Sequence, residues 1–85
     1  MIGCETKLGG IIVVTNAGSN NLTDVCILDS DGIRILGGGR DTIIPGSSLS
    51  YQINFDGSYT VRGYRKGTLI KKNVDLRGGQ VNLGM

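Results

Sequence analysis

The chain has 85 residues, 39% of them hydrophobic and 19% charged, with a net charge of +2, 15 glycines, one proline, two cysteines and no histidine. That length gives one domain, near the lower limit at which a core holds without staples, and the balance of apolar and charged residues excludes a disordered chain. Without histidine the commonest general base and metal ligand are missing, the small net charge does not call for a polyanionic partner, and no stretch approaches the ~20 apolar residues of a membrane-spanning helix.

Residues 1–10 contain no apolar period and read as a flexible lead-in, with residues 11–85 forming a single domain. Ile11 to Thr15 is a β-branched run that suits a strand buried on both faces. A loop of turn formers, Asn16 to Asn21, precedes Leu22 to Leu28, where Thr23, Val25 and Ile27 are expected to face the core and Asp24 and Cys26 the other side. Asp29-Ser30-Asp31-Gly32 supplies an Asp-Gly turn into a short strand, Ile33 to Leu36, completing a hairpin.

Gly37-Gly38-Gly39-Arg40 is a flexible connection, Thr42 to Ile44 is a brief strand, and Pro45 ends it. Leu49, Tyr51, Ile53 and Phe55 alternate with Ser50, Gln52 and Asn54 and form the expected centre of the core. Tyr59 and Val61 continue inward on the next strand, with Thr60, Arg62 and Tyr64 outward. After a turn at Arg65 to Thr68, the strand Leu69 to Leu76 slips in phase, which predicts a bulge. Gly78-Gly79 then turns into Val81 to Leu83, whose Val81 points inward. The sum is an all-β protein, a small antiparallel β-sandwich of seven or eight strands, with a small β-barrel as the alternative closure.

The order Pro45-Gly46, alternating strand, Gly57-Ser58-Tyr59-Thr60-Val61, hairpin, Val74-Asp75-Leu76 and Gly79-Gln80-Val81-Asn82-Leu83 resembles the small β-sandwich repeats of bacterial surface proteins, including the PEGA type. The resemblance covers roughly the second half of the chain. It implies a binding, spacer or adhesion module and carries over no catalytic residue. Ile2-Gly3-Cys4 resembles the last three positions of a bacterial lipoprotein cleavage box, in which the Cys becomes the lipidated first residue. That likeness implies Cys4 as a lipidation site and an extracytoplasmic, membrane-anchored protein. No charged start with an apolar core precedes Cys4 in the sequence, so the expectation is a trimmed precursor or a misplaced start.

Other motifs have simpler readings. Asp29-x-Asp31-Gly32 lacks the third acid and the closing Glu of a calcium loop and reads as a hairpin turn. Aspartates 24, 29, 31, 41 and 56 lie in or beside turns, where Asp serves local backbone hydrogen bonds, so no catalytic pair is expected. The Gly37–Arg40 run has no helix behind it to complete a phosphate cradle. Cys4 and Cys26 are expected unpaired, with a bridge closing a loop of about 20 residues as the alternative. Asn21-Leu22-Thr23 is an N-glycosylation sequon, expected to be unused in a bacterial protein.

Charge is uneven along the chain. Residues 1–61 hold three basic and six acidic side chains, net −3, and residues 62–85 hold six basic and one acidic, net +5. The basic hairpin Arg62, Arg65, Lys66, Lys71 and Lys72, with Tyr64 placed to stack and Arg77 beyond it, is the candidate ligand-binding surface. The competing role for these cations is protection of a sheet edge against aggregation.

The expected function is a non-catalytic extracytoplasmic interaction or spacer module without cofactor or metal. Its expected partner is a protein or cell-envelope component, with the membrane reached only through the lipid anchor. The alternative is a nucleic-acid-binding small β-barrel using the 62–72 hairpin. Opposite charge in the two halves and unpaired strand edges predict a homo-oligomer.

Overall fold

A computed structural model describes residues 9–37 and 41–85. Cys4 and the 38–40 part of the glycine-rich connection therefore lie outside the described residues. Among the described residues seven strands follow in order: β1 (Gly10–Thr15), β2 (Thr23–Leu28), β3 (Arg34–Leu36), β4 (Ser48–Ile53), β5 (Gly57–Arg65), β6 (Thr68–Leu76) and β7 (Gly79–Gly84). They form a three-stranded sheet, β4-β1-β7, and a four-stranded sheet, β3-β2-β5-β6. The protein is all-β, and its two separate sheets correspond to the sandwich and not to the barrel.

The pairing departs from the antiparallel expectation at one place. β1 pairs β4 antiparallel but β7 in parallel, with Gly10 beside Gly79 and Thr15 beside Gly84. Gly10 is required for this seam, because a Cβ there would lie 2.0 Å from the Gly79 carbonyl oxygen. The chain enters β1 at one end of the sandwich, and the Met85 amide after β7 donates to the Thr15 carbonyl at the other.

The core lies between the sheets. Ile12, Val14, Leu22, Val25, Ile27, Val61 and Leu76 are fully excluded from solvent, and Ile43, Tyr51, Ile53, Tyr59 and Val74 are buried with them. Each large aliphatic buried in this way contributes about 1.5–3 kcal/mol relative to exposure. Leu49 and Val81 are half-buried against the cluster.

Several local expectations are corrected. Phe55 is 55% exposed, because β4 ends at Ile53 and the chain bends at Asn54-Phe55, which breaks the alternation. β1 is buried on one face only: its sheet has no layer over its outer side, so Ile11 is exposed while Ile12 and Val14 are buried. Thr42 to Ile44 contributes an isolated bridge from Ile43 to Leu22, not a strand.

The bulge belongs to β2 and not to the last long strand. Thr23 pairs with Tyr64 and Cys26 with Arg62, so Asp24 and Val25 together oppose Gly63, with Asp24 at φ 53°. The extra residue turns both Leu22 and Val25 inward and moves Thr23 to the outer face. β6 pairs with β5 without a slip from Leu76 to Thr68. Its sequence lost the period because Lys72 occupies an inward-facing position opposite Val61, which an edge strand permits.

Candidate functional site

The β5–β6 hairpin turns through Lys66 and Gly67, whose φ values of 54° and 78° suit a two-residue turn with both central residues left-handed. Directly opposed residues share a face in an antiparallel pair, so the register builds the outer surface row by row. Ser58 faces Asp75, Thr60 faces Asn73, Arg62 faces Lys71 and Tyr64 faces Leu69. The first two rows are closed by side-chain hydrogen bonds: Ser58 Oγ donates to Asp75 Oδ1 over 2.8 Å, and Thr60 Oγ1 to Asn73 Oδ1 over 3.0 Å. The next two rows are a cation pair and an apolar pair, with Leu69 45% exposed.

The six residues expected to act together are thereby divided. Arg62, Tyr64 and Lys71 share the outer face, and Lys66 stands exposed at the turn. Lys72 lies on the opposite side of the hairpin, at the rim of the sandwich. Arg65 is turned inward as a structural clamp: one Nη2 donates to Asn16 Oδ1 at 2.6 Å and to the Met85 carbonyl oxygen. Gly18 lies against that guanidinium, where a Cβ would come within 2.5 Å of Cζ. Arg77 follows β6 as an exposed residue.

Asn16 is the one buried polar residue among the described residues. Its Nδ2 donates to the carbonyls of Asn20 and Ile43 at 2.7 and 2.8 Å, and its Oδ1 also accepts from Gly18 N–H at 2.9 Å. The sequence placed Asn16 in a loop and gave no sign of this junction, because two of its partners, Ile43 and Arg65, lie 27 and 49 positions away.

The carboxylates serve the backbone and the tyrosines. Asp56 Oδ1 accepts from Gly9 N–H at 2.9 Å and Gly78 N–H at 2.8 Å, tying the entry of β1 to the β6–β7 turn. Asp29 Oδ1 accepts from the amides of Asp31 and Ile33 within its own turn, at 2.9 and 3.0 Å. Tyr51 donates its hydroxyl to Asp41 Oδ2 at 2.9 Å, and its phenol is pushed well above the ordinary range by burial, with the Asp41 hydrogen bond and charge adding to it. Burial also raises the Tyr59 phenol, helped by Asp56 and Asp29, while its hydroxyl donates to the Phe55 carbonyl at 2.6 Å.

Cys26 is a free thiol buried on the outer side of β2, beneath the Gly37 backbone, where a Cβ would meet the Cys26 Cα at 2.7 Å. Asn21 of the sequon is exposed, with Leu22 in the core beside it. A cleft of about 220 Å³ opens between β3 and the end of β4, lined by Ile35, Leu36, Gln52, Ile53, Phe55 and Tyr59 among others. Sequence reasoning missed it because it arises from strand order: β3 and β4 lie at sheet edges, one in each sheet.

No family model, curated protein or solved structure matches the chain.

Proposed function

We propose that the protein is a non-catalytic, extracytoplasmic spacer and interaction module. The observation that carries this reading is the parallel pairing of the first and last strands, β1 and β7. Tension applied between the two ends of the domain runs along this pair and loads its ladder bonds together, whereas a hairpin pulled at its open end loses them one at a time. A module that holds partners apart under load needs that connection. The commitment of Asp29, Asp41, Asp56 and Asp75 to structural donors supports the absence of catalysis. The likeness to bacterial surface modules and the Cys4 tripeptide support the compartment, with Cys4 as the lipid anchor.

Single-molecule pulling tests the spacer reading. Held near residues 9 and 85, the domain unfolds at a force several-fold higher than when held at the β5–β6 turn and residue 85, since forced unfolding reads the barrier directly. Equal, low forces in both geometries would remove the reading. Expression from the native locus and membrane fractionation test the compartment, and a cytosolic protein with unmodified Cys4 would end that part.

A second reading, binding of nucleic acid or another polyanion, is favoured by Arg62 lying directly opposite Lys71 with Tyr64 in the next row. Such binding weakens steeply with salt because neutralised phosphates release counterions. Binding that is absent, or flat against salt, in oligonucleotide titrations rejects it.

A further inference from the structure

A strand at a sheet edge templates pairing with another chain unless it is short, charged, bulged or covered. β3 has three residues and carries Arg34. β6 carries Lys71, the inward Lys72 and Asp75. β7 is uncharged but lies against β6 of the other sheet. Among the described residues β4, Ser48-Leu49-Ser50-Tyr51-Gln52-Ile53, shows none of these devices: six residues, no charge, no proline, no break in its register with β1, and Ser48, Ser50 and Gln52 exposed.

The polarity of that edge follows from the ladder. Asn16 N–H donates to the Ser47 carbonyl in continuation of the β1–β4 register, so Leu49, Tyr51 and Ile53 direct their backbone groups to β1. Ser48, Ser50 and Gln52 direct theirs to the open side. Among the described residues, no backbone hydrogen bond reaches that side of β4.

We propose that β4 is the seam of a two-fold dimer, in which this edge pairs antiparallel with the same edge of a second copy of the chain. Charge selects the occupant. A two-fold axis sets each side chain against its own counterpart or a near neighbour, so a charged edge repels itself and a neutral one does not. Centred on Ser50, the axis brings Ser50 against its symmetry mate and Ser48 against the symmetry mate of Gln52. Only uncharged hydroxyl and amide groups meet on the outer face. The apolar rim on the same side, Ile35 at 42% and Phe55 at 55% exposure, is brought toward the covering copy. Arg62 and Lys71 stay outside the seam, on the other sheet.

Sedimentation velocity over a roughly hundredfold concentration range reads the association directly. The expected result is a rise from the 9.0 kDa monomer toward twice that mass, abolished by Ser50→Lys on the outer face of β4 and retained by Asn82→Lys on β7. Hydrogen exchange of the unaltered protein gives a reading that does not depend on a variant folding: the amides of Ser50 and Gln52 slow several-fold as concentration rises. A monomer at every concentration, concentration-independent exchange at those amides, or a dimer that survives Ser50→Lys would overturn the proposal.

Discussion

Arg65 Nη2 donates to Asn16 Oδ1 over 2.6 Å, joining the last residue of β5 to the residue that follows β1 and so linking the two sheets. Asn16→Ala removes the acceptor for Arg65 and Gly18 and the donor to two carbonyls. Buried polar groups left without partners each cost on the order of 1–3 kcal/mol, so the expected loss is about 3 kcal/mol. Urea denaturation should show a lower midpoint with an unchanged slope. Arg65→Lys keeps the charge but not the planar fork and falls between the two.

Gly10→Ala and Gly67→Ala separate two uses of glycine. At Gly10 the new methyl meets the Gly79 backbone oxygen and parts β1 from β7, so the domain should lose cooperative thermal unfolding. At Gly67 nothing lies within 4 Å, and φ is 78°. There the left-handed backbone alone costs roughly 1–2 kcal/mol, giving a folded protein with a modestly lower Tm.

Asp56 accepts from two amides far apart in sequence. Hydrogen bonds to a charged group contribute about 1.5–3 kcal/mol, so Asp56→Ala should destabilise by that order and Asp56→Asn, which keeps an acceptor oxygen, by less. Hydrogen exchange should accelerate at Gly9 and Gly78 in Asp56→Ala before it does so in β2 or β5.

Tyr51 and Tyr59 are held above the ordinary phenol range, near 10, first by burial. The fold therefore favours the protonated phenols. That contribution is complete below pH ~10 and is lost as pH rises through the folded-state values. Above about pH 10 the unfolding midpoint should fall as pH rises, and the fall should be smaller in Tyr51→Phe, which has one such phenol fewer. Absorbance titration at 295 nm provides an independent check: ionisation of these two phenols should follow unfolding, not precede it.

Arg62 and Lys71 are directly opposed like charges, an arrangement unfavourable by roughly 0.2–1 kcal/mol. Lys71→Glu should raise stability by that order at low salt, an advantage that shrinks as salt is added. If the cations serve a polyanion, the same variant should weaken oligonucleotide binding. A stabilised variant with unaltered binding would assign Lys71 to edge protection alone.

The strands were legible where alternation was undisturbed, as at Tyr51, Ile53, Tyr59 and Val61. They were misread where a local device changed the phase. The Asp24–Val25 bulge in β2 rotated Leu22 into the core, and the inward Lys72 on β6 mimicked a bulge that is not there. The basic residues of the hairpin were visible as a cluster, but not their division. Only the hairpin register puts Arg62 and Lys71 on one face, and only the Asn16 junction draws Arg65 inward.

By itself the sequence determined the all-β class, the position of most strands and turns, and the lack of histidine chemistry, because these depend on neighbours within a few residues. Tertiary structure alone decided the parallel β1–β7 seam, the Asn16–Arg65 and Asp56 junctions, and which edge was left neutral and open. Those features depend on which distant segments share a sheet, and the chain leaves no local signal of that choice: the same period of two serves a central strand and an edge strand alike.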